Sequence, residues 1–235
     1  NNYVENINAI GFTGGFIGYI PGGNKLIDIS NCNNYAKIIN KSSRYDAYIG
    51  GFIGNVNNYN MGININNSNN YGDIESYGGD VAGFIGYCIC NNLSVISTNN
   101  YGNLTGSKNG YLAGLAAYSM INKKINCLDV HNYGNIEDME YGTAVGGLFA
   151  FITSSSEIVI DKCSNNGDFV VNGKNYVGGL IGQDSANDKL QIKESYNSGN
   201  ISGLSCGFVA GLGAYLNDLQ LASNIYNSGN ITIQG

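Results

Sequence analysis

The chain has 235 residues, including 39 Asn, 35 Gly, one Pro and one His, and no Trp. Its formal net charge of −6 leaves no basic footprint for nucleic acid or an anionic membrane surface. The single His excludes sites that need two or more imidazoles. Hydrophobic residues make up 43% of the chain, which is enough to fill a core, so the excess of Asn and Gly does not indicate disorder.

Two short motifs alternate along the chain. The first, of the NNYV, NNYG or YNSG type, has Asn at its second position in eight copies: Asn2, Asn34, Asn70, Asn100, Asn132, Asn165, Asn197 and Asn227. The second, small-Gly-(Phe/Leu)-x-(Gly/Ala), occurs seven times at spacings of 31 to 36 residues, with its Gly at Gly15, Gly51, Gly83, Gly114, Gly147, Gly179 and Gly211. So steady a period is typical of a repeat architecture.

Strands are predicted on both sides of the Asn motif. Aliphatic residues stand eight and six positions before its third residue and three positions after it, as Ile27, Ile29 and Ile38 do around Tyr35. Polar residues such as Asp28 lie between them. This period of two predicts strands with one buried face, and helix has little support because Gly, Asn and β-branched residues dominate.

The repeats predict an all-β fold, a parallel β-helix or β-solenoid of about seven coils with a repeat of about 32 residues. We expect residues 1–235 to form a single repeat domain. The sequence shows no initiator Met, signal peptide or capping segment, which favours a fragment of a larger protein. No apolar run reaches the length of a membrane helix, so no membrane insertion is expected.

The invariant Asn column is predicted to be a structural ladder. Equivalent residues of stacked coils lie about 4.8 Å apart, so identical amides can hydrogen-bond along the stack. Asn also tolerates left-handed backbone, and the Gly two residues later does so without steric cost. We therefore expect the Asn motif to be a left-handed corner, with no catalytic use of its amides.

The six cysteines show neither CxxC spacing nor a dense disulfide framework. Cys127 occupies an aliphatic slot, while Cys32 and Cys163 share a slot four coils apart, too far for a disulfide. Cys88 and Cys90 point to one face of a strand and would make a strained bridge. Free core thiols are expected, without a metal site or cofactor.

His131 replaces the first Asn of its motif, at a slot whose residue varies from copy to copy. This variability predicts an exposed surface side chain. Sequence spacing assembles no nucleophile and base around it, so no catalytic residue is expected.

Acidic residues are predicted to form ion pairs between coils. Asp161 aligns with Lys193, and Asp129, Lys162 and Glu194 form a column of alternating charge, which favours cross-strand pairing over catalysis. Asp80 in YGGDVAG resembles a calcium-binding Gly-Asp repeat, but no other copy has Asp at this slot.

Two aromatic columns are predicted to pack corners of the solenoid. One holds Tyr19, Tyr87, Tyr118, Phe151 and Tyr215, and the other holds Tyr35, Tyr71, Tyr101 and Tyr133. Tyr196 and Tyr226 share the variable slot of His131 and are expected to be exposed. These last three are the candidate binding residues, because an exposed Tyr suits glycan or protein recognition.

The segments GGFIGY, AGFIGY, GGLFAF and GGLIGQ, followed by YNSGNISG and YNSGNITI, resemble the GLUG-motif repeats of large bacterial surface proteins. Those repeats also occur in non-catalytic regions of some immunoglobulin A peptidases. The resemblance covers nearly the whole chain. It implies a secreted or cell-wall-anchored location with an adhesin or spacer role, and it supplies no catalytic residue.

These observations predict a non-catalytic extracellular repeat module, an adhesin or surface stalk that presents loops to a host or microbial glycan or protein. Two alternatives stay open. A polysaccharide-acting β-helix enzyme, a lyase or hydrolase, would need a groove with two acids within about 10 Å. A structural segment would assemble end to end through its open coils.

Overall fold

The computed structural model describes the chain except for residues 24, 107, 109, 139, 141, 155–156 and 186–188. The described residues contain no helix, and their parallel sheets stack as a β-solenoid of about seven coils with a repeat of about 32 residues. The predicted fold is therefore confirmed. Within these residues no helix is long and apolar enough to cross a membrane.

Each coil passes through three sheets, whose strands we number in chain order. The coil enters through sheet C, which contains β2 (Thr13–Gly14), β7 (Tyr48–Gly50), β12 (Asp80–Ala82), β15 (Tyr111–Ala113), β18 (Gly142–Gly146), β23 (Lys174–Gly178) and β28 (Phe208–Ala210). After the Asn motif it continues into sheet B, which contains β1 (Asn6–Ala9), β6 (Lys37–Asn40), β11 (Ile74–Ser76), β14 (Leu104–Gly106), β17 (Ile136–Asp138), β22 (Phe169–Asn172), β27 (Ile201–Leu204) and β32 (Ile231–Gln234).

Sheet A lies between the Gly motif and the Asn motif and is the largest of the three. In two adjacent coils its segments fuse into the long strands β13 (Ile85–Asn100) and β16 (Ala116–Asn132). In the other coils it is divided into β3 (Ile17–Ile20), β4 (Leu26–Ser30), β5 (Asn33–Asn34), β8 (Ile53–Asn57), β9 (Gly62–Asn66), β10 (Asn69–Asn70), β19 (Phe149–Ser154), β20 (Glu157–Asp161), β21 (Ser164–Asn165), β24 (Ile181–Asp184), β25 (Lys189–Lys193), β26 (Tyr196–Asn197), β29 (Gly213–Leu216), β30 (Leu219–Ser223) and β31 (Tyr226–Asn227).

The core consists of rows of aliphatic side chains that repeat from coil to coil. In sheet A, Ile65, Val95 and Cys127 are register partners and are fully buried. In sheet B, Ile38 pairs with Ile74, which pairs with Leu104. The strand period of two places these side chains inside and their polar neighbours outside, as predicted.

The left-handed corner lies at a different position from the one predicted. Positive φ angles of 45° to 58° occur four residues before the third residue of the Asn motif, at Asn31, Asn67, Ser97, Asp129, Lys162, Glu194 and Asn224. The ladder Asn residues and the Gly residues that follow them are not left-handed. The expectation for their backbone was therefore wrong.

Close approach between coils explains the Gly of the Asn motif instead. A Cβ at Gly72 would overlap the carbonyl oxygen of Ala36 on the neighbouring coil. The two sequence motifs also touch each other, because a Cβ at Gly83 would lie 2.5 Å from Cγ of Asn100. Each Gly of the second motif thus makes room for one ladder amide.

Candidate functional site

The eight invariant Asn side chains form a continuous ladder. Adjacent amides hydrogen-bond at 2.7 to 3.0 Å along the whole stack, from Asn2 to Asn227. From Asn34 onward, each Nδ2 also donates to the carbonyl oxygen two residues later, as Asn100 does to Gly102 at 2.9 Å. The central amides are buried, with both amide protons donated and the oxygen accepting a hydrogen bond, so their role is to support the fold.

A stack of tyrosines runs along the outside of the same corner. The rings of the Tyr stack face one another at centroid distances of 4.9 to 5.0 Å and interplanar angles of 4° to 8°. Its members are 41% to 71% exposed and comprise Tyr3, Tyr35, Tyr71, Tyr101 and Tyr133. Because each inner ring has a ring on both faces, the stack presents edges and hydroxyl groups to solvent.

The three predicted binding residues lie in one column beside the Tyr stack. His131 aligns with Ser164, which aligns with Tyr196, and the Tyr196 and Tyr226 rings stack at 4.8 Å. Tyr226 is 54% exposed, as predicted, whereas Tyr196 is half-buried. Aromatic rings at this corner therefore stand at the third position of the Asn motif up to Tyr133, and at its first position in the Tyr196–Tyr226 pair.

His131 is more enclosed than predicted. Its side chain is 21% exposed, and its Nδ1 lies 2.7 Å from Oγ of Ser164 while its Nε2 lies 3.1 Å from Oδ1 of Asp129. Ser97 donates to Oδ2 of Asp129, and Asn166 donates to Oγ of Ser164. Alignment of the repeats places His131 and Ser164 in one slot, but it does not show that their side chains meet.

The serine, imidazole and carboxylate have the connectivity of a hydrolytic triad but not its accessibility. Ser164 is fully buried, so no substrate carbonyl can reach its Oγ in this arrangement. Its second hydrogen bond, from Asn166, also holds the oxygen in place. The network therefore links the corners of three successive coils rather than forming a nucleophile.

A second aromatic cluster covers the junction of sheets C and A. The ring centroids of Tyr48 and Tyr87 lie 4.3 Å apart, and those of Tyr87 and Tyr118 lie 4.6 Å apart. Tyr48 belongs to sheet C and supplies a ring at the coil where Asn55 interrupts the predicted column. Phe151 contacts Tyr118 at 5.2 Å. The predicted packing role is thus supported, with an additional member that the sequence column did not contain.

Asp80 lies beneath this second cluster. It is 6% exposed, aligns with Tyr48, and its Oδ1 accepts a hydrogen bond from the backbone N–H of Tyr111 at 3.1 Å. Burial raises the pKa of Asp80 to about 8, and this hydrogen bond opposes the shift. A neutral buried carboxyl is a poor calcium ligand, and the described residues contain no group of three metal-ligating side chains.

Acidic side chains line a shallow groove on the outer face of sheet B. Its volume is about 300 Å³, and its carboxylates come from Asp73, Glu75 and Glu137. Lys37 pairs with Glu75 at 3.4 Å. Thr105 separates the two glutamates in register, which places them about 9.6 Å apart by strand spacing. This backbone spacing is slightly larger than the separation of about 6.5–9.5 Å between the two carboxyl groups of an inverting glycosidase.

The predicted column of alternating charges does not form ion pairs. Asp161 does align with Lys193, and Asp129, Lys162 and Glu194 do share the left-handed slot. The ion pairs of the described residues lie elsewhere, and Asp129 contacts His131 instead.

All six cysteines are free, as predicted. Cys88, Cys90, Cys127 and Cys163 are buried, while Cys32 and Cys206 are only half-buried. The Sγ atoms of Cys88 and Cys90 lie 3.6 Å apart. Burial raises the pKa of the Cys163 thiol to about 12, which keeps it protonated and unreactive.

No protein-family model matches the chain, and no curated protein or solved structure is significantly similar to it.

Proposed function

We propose that the chain is a non-catalytic repeat module, an adhesin or surface stalk, that binds an extended glycan along its Tyr-lined corner. The observation that carries this proposal is the Tyr stack, five exposed rings in a straight line on a rigid scaffold. Ring edges offer apolar contact and hydroxyl groups offer hydrogen bonds, a combination that suits sugars. The resemblance to GLUG-motif repeats supports a secreted or cell-surface location.

The geometry of the stack favours a long partner over a small one. Ring faces are occupied by neighbouring rings, so a single sugar cannot stack on an inner tyrosine. A polymer that lies along the solenoid axis can instead contact one hydroxyl group about every 4.9 Å. The net charge of −6 favours a neutral or amino-sugar polymer over an anionic one.

A substitution within the stack tests this proposal. Binding of the chain to immobilised neutral and amino-sugar polysaccharides would be compared for wild type and Tyr101→Ser. We expect about fivefold to tenfold weaker binding, which corresponds to about 1 kcal/mol per aromatic contact. Tyr45→Ser is the matched control, because Tyr45 is 68% exposed and lies outside the stack. Equal binding of polysaccharide by Tyr101→Ser and Tyr45→Ser would contradict the proposal. If the ligand is a protein, a pull-down experiment would reveal it instead.

A polysaccharide-acting enzyme is a second candidate, supported by the acidic groove of sheet B. Against it, the Glu75 side chain is 37% exposed and Glu137 is exposed, whereas a glycosidase holds its general acid in apolar surroundings. The test is release of reducing ends or unsaturated products from polysaccharides, with Glu75→Gln and Glu137→Gln as variants. Turnover that both variants abolish would replace the binding proposal with this one.

End-to-end assembly is a third candidate function, in which the strands of one copy pair with those of the next copy along the solenoid axis. Light scattering over a range of concentrations would detect growing particles, while a constant monomer mass would count against assembly.

A further inference from the structure

A lysine and an aspartate are buried against each other between two successive coils. Asp138 is the last residue of β17 in sheet B, and Lys174 is the first residue of β23 in sheet C on the next coil. Their side chains are 1% and 0% exposed, and Nζ of Lys174 contacts Oδ2 of Asp138. Within the described part of the chain, Nζ has no other hydrogen-bond partner.

The surrounding backbone is shaped around this contact. Gly142 is the register partner of Lys174, and a Cβ at position 142 would overlap Nζ. The backbone N–H of Glu140 donates to the other carboxyl oxygen, Oδ1 of Asp138, at 3.2 Å. The amine is therefore held against one oxygen of a carboxyl group whose second oxygen is polarised by a donor.

Burial makes an ion pair at this position costly. Removing an ammonium and a carboxylate from water is costly, and their attraction offsets this cost only where further hydrogen bonds satisfy both ions, which Nζ of Lys174 lacks among the described residues. Desolvation raises the pKa of Asp138 and lowers the pKa of Lys174, while the attraction between the two groups opposes both shifts. Both effects of desolvation favour the neutral carboxylic acid and the neutral amine, the forms that react with each other.

We propose that Lys174 and Asp138 form an intramolecular amide bond between their side chains. The lone pair of Nζ attacks Cγ of the carboxylic acid and forms a C–N bond, and the C–O bond to the hydroxyl oxygen breaks. That oxygen leaves as water, with one proton from the carboxyl group and one from the amine. The reaction needs no oxidant, cofactor or second substrate.

Such a bond would connect β17 to β23 covalently. Residues 138–174 would form a closed loop, which reduces the conformational entropy of the unfolded chain as a disulfide does. The two coils could no longer separate along the solenoid axis. In a rod whose coils otherwise adhere through strand pairing and packing, this bond resists pulling at its own position.

The intact mass of the wild-type chain tests the proposal directly. We expect a mass about 18 Da below that of the sequence, the mass of one water. Trypsin should fail to cleave after Lys174 and should release a branched peptide that joins residues 125–162 to residues 163–189. A wild-type chain with the full sequence mass and no branched peptide would overturn the proposal.

Three variants identify the bond. Lys174→Arg keeps a cation but removes the amine, and Asp138→Ala removes the carboxyl group, so both should have their full sequence mass. Asp138→Asn should still react, with loss of ammonia, about 17 Da, instead of water. If Lys174→Arg still lost the mass of one water, the dehydration would involve another pair of residues and the proposal would be wrong. The wild-type measurement stands even where a variant does not fold.

Discussion

The Asn motif contributes two columns of side chains, an inner column at its second position and an outer column at its first position. The two columns have the same spacing along the solenoid but differ in burial. Asn100 in the inner column is 1% exposed, donates to Asn132 and Gly102, and accepts from Asn70. Asn99 in the outer column is half-buried and bonds through its amide to Asn69 at 2.9 Å.

The inner column is Asn in all eight copies, whereas the outer column changes from Asn to His131, Ser164, Tyr196 and Tyr226. A buried amide leaves several partners unpaired when it is lost, while water replaces an exposed one. The inner column therefore maintains the stack, and the outer column tolerates substitution.

The largest expected effect is from removing an inner amide. Asn100→Ala leaves the buried groups of Asn70, Asn132 and Gly102 without a partner, and we expect a loss of about 4 kcal/mol in the free energy of unfolding. Urea denaturation followed by circular dichroism measures this loss. A loss below about 1 kcal/mol would mean that the ladder does not stabilise the stack.

The next prediction concerns Asp80, a buried polar residue whose equivalent position on the neighbouring coils holds no Asp. Its pKa of about 8 in the folded state exceeds its ordinary value of 3.8, so the folded chain keeps a proton that the unfolded chain releases. This group therefore lowers stability as the pH rises from about 4 to about 8.

Replacing Asp80 with Asn removes this titration. We expect Asp80→Asn to stabilise the fold by several kcal/mol at pH 8, because each unit of the pKa shift corresponds to about 1.4 kcal/mol, and to have little effect at pH 4. Thermal melting of both chains at the two pH values gives the comparison. An equal effect at both values would show that the carboxyl group does not titrate in this window.

A smaller effect is expected in the outer column. Asn99→Ala removes one partly exposed bond to Asn69, which water can replace, and should cost at most about 1 kcal/mol. Because Asn99 adjoins Asn100, the two variants form a matched pair in the same denaturation experiment. Equal costs would refute the assignment of stability to the inner column.

The smallest effect is expected from His131→Asn, which restores the residue found in the preceding copies. The variant loses the contacts to Asp129 and Ser164 but can extend the outer ladder from Asn99. We expect a change within about 0.5 kcal/mol in the free energy of unfolding. A loss comparable to that of Asn100→Ala would identify the imidazole network as a structural element of the core.

Columns of identical residues could be predicted because the repeat is regular near the two motifs. Alignment on the Asn motif correctly placed the ladder from Asn2 to Asn227 and the aliphatic rows beside it. Contacts between unlike residues could not be predicted in this way. To predict the His131–Ser164 bond, one would need to know that these two side chains converge. Alignment also identifies Asp129 only as a charged residue, whereas its backbone is left-handed.

The sequence by itself determined the coil length, the buried face of each strand and the identity of the ladder, since strand period and repeat spacing are properties of the chain order. Only the tertiary structure decided that the Gly of one motif supports the Asn of the other, that Tyr48 of sheet C stacks on Tyr87 of sheet A, and that Lys174 meets Asp138. These contacts cross loops of unequal length between sheets, so they depend on how the coils close in space.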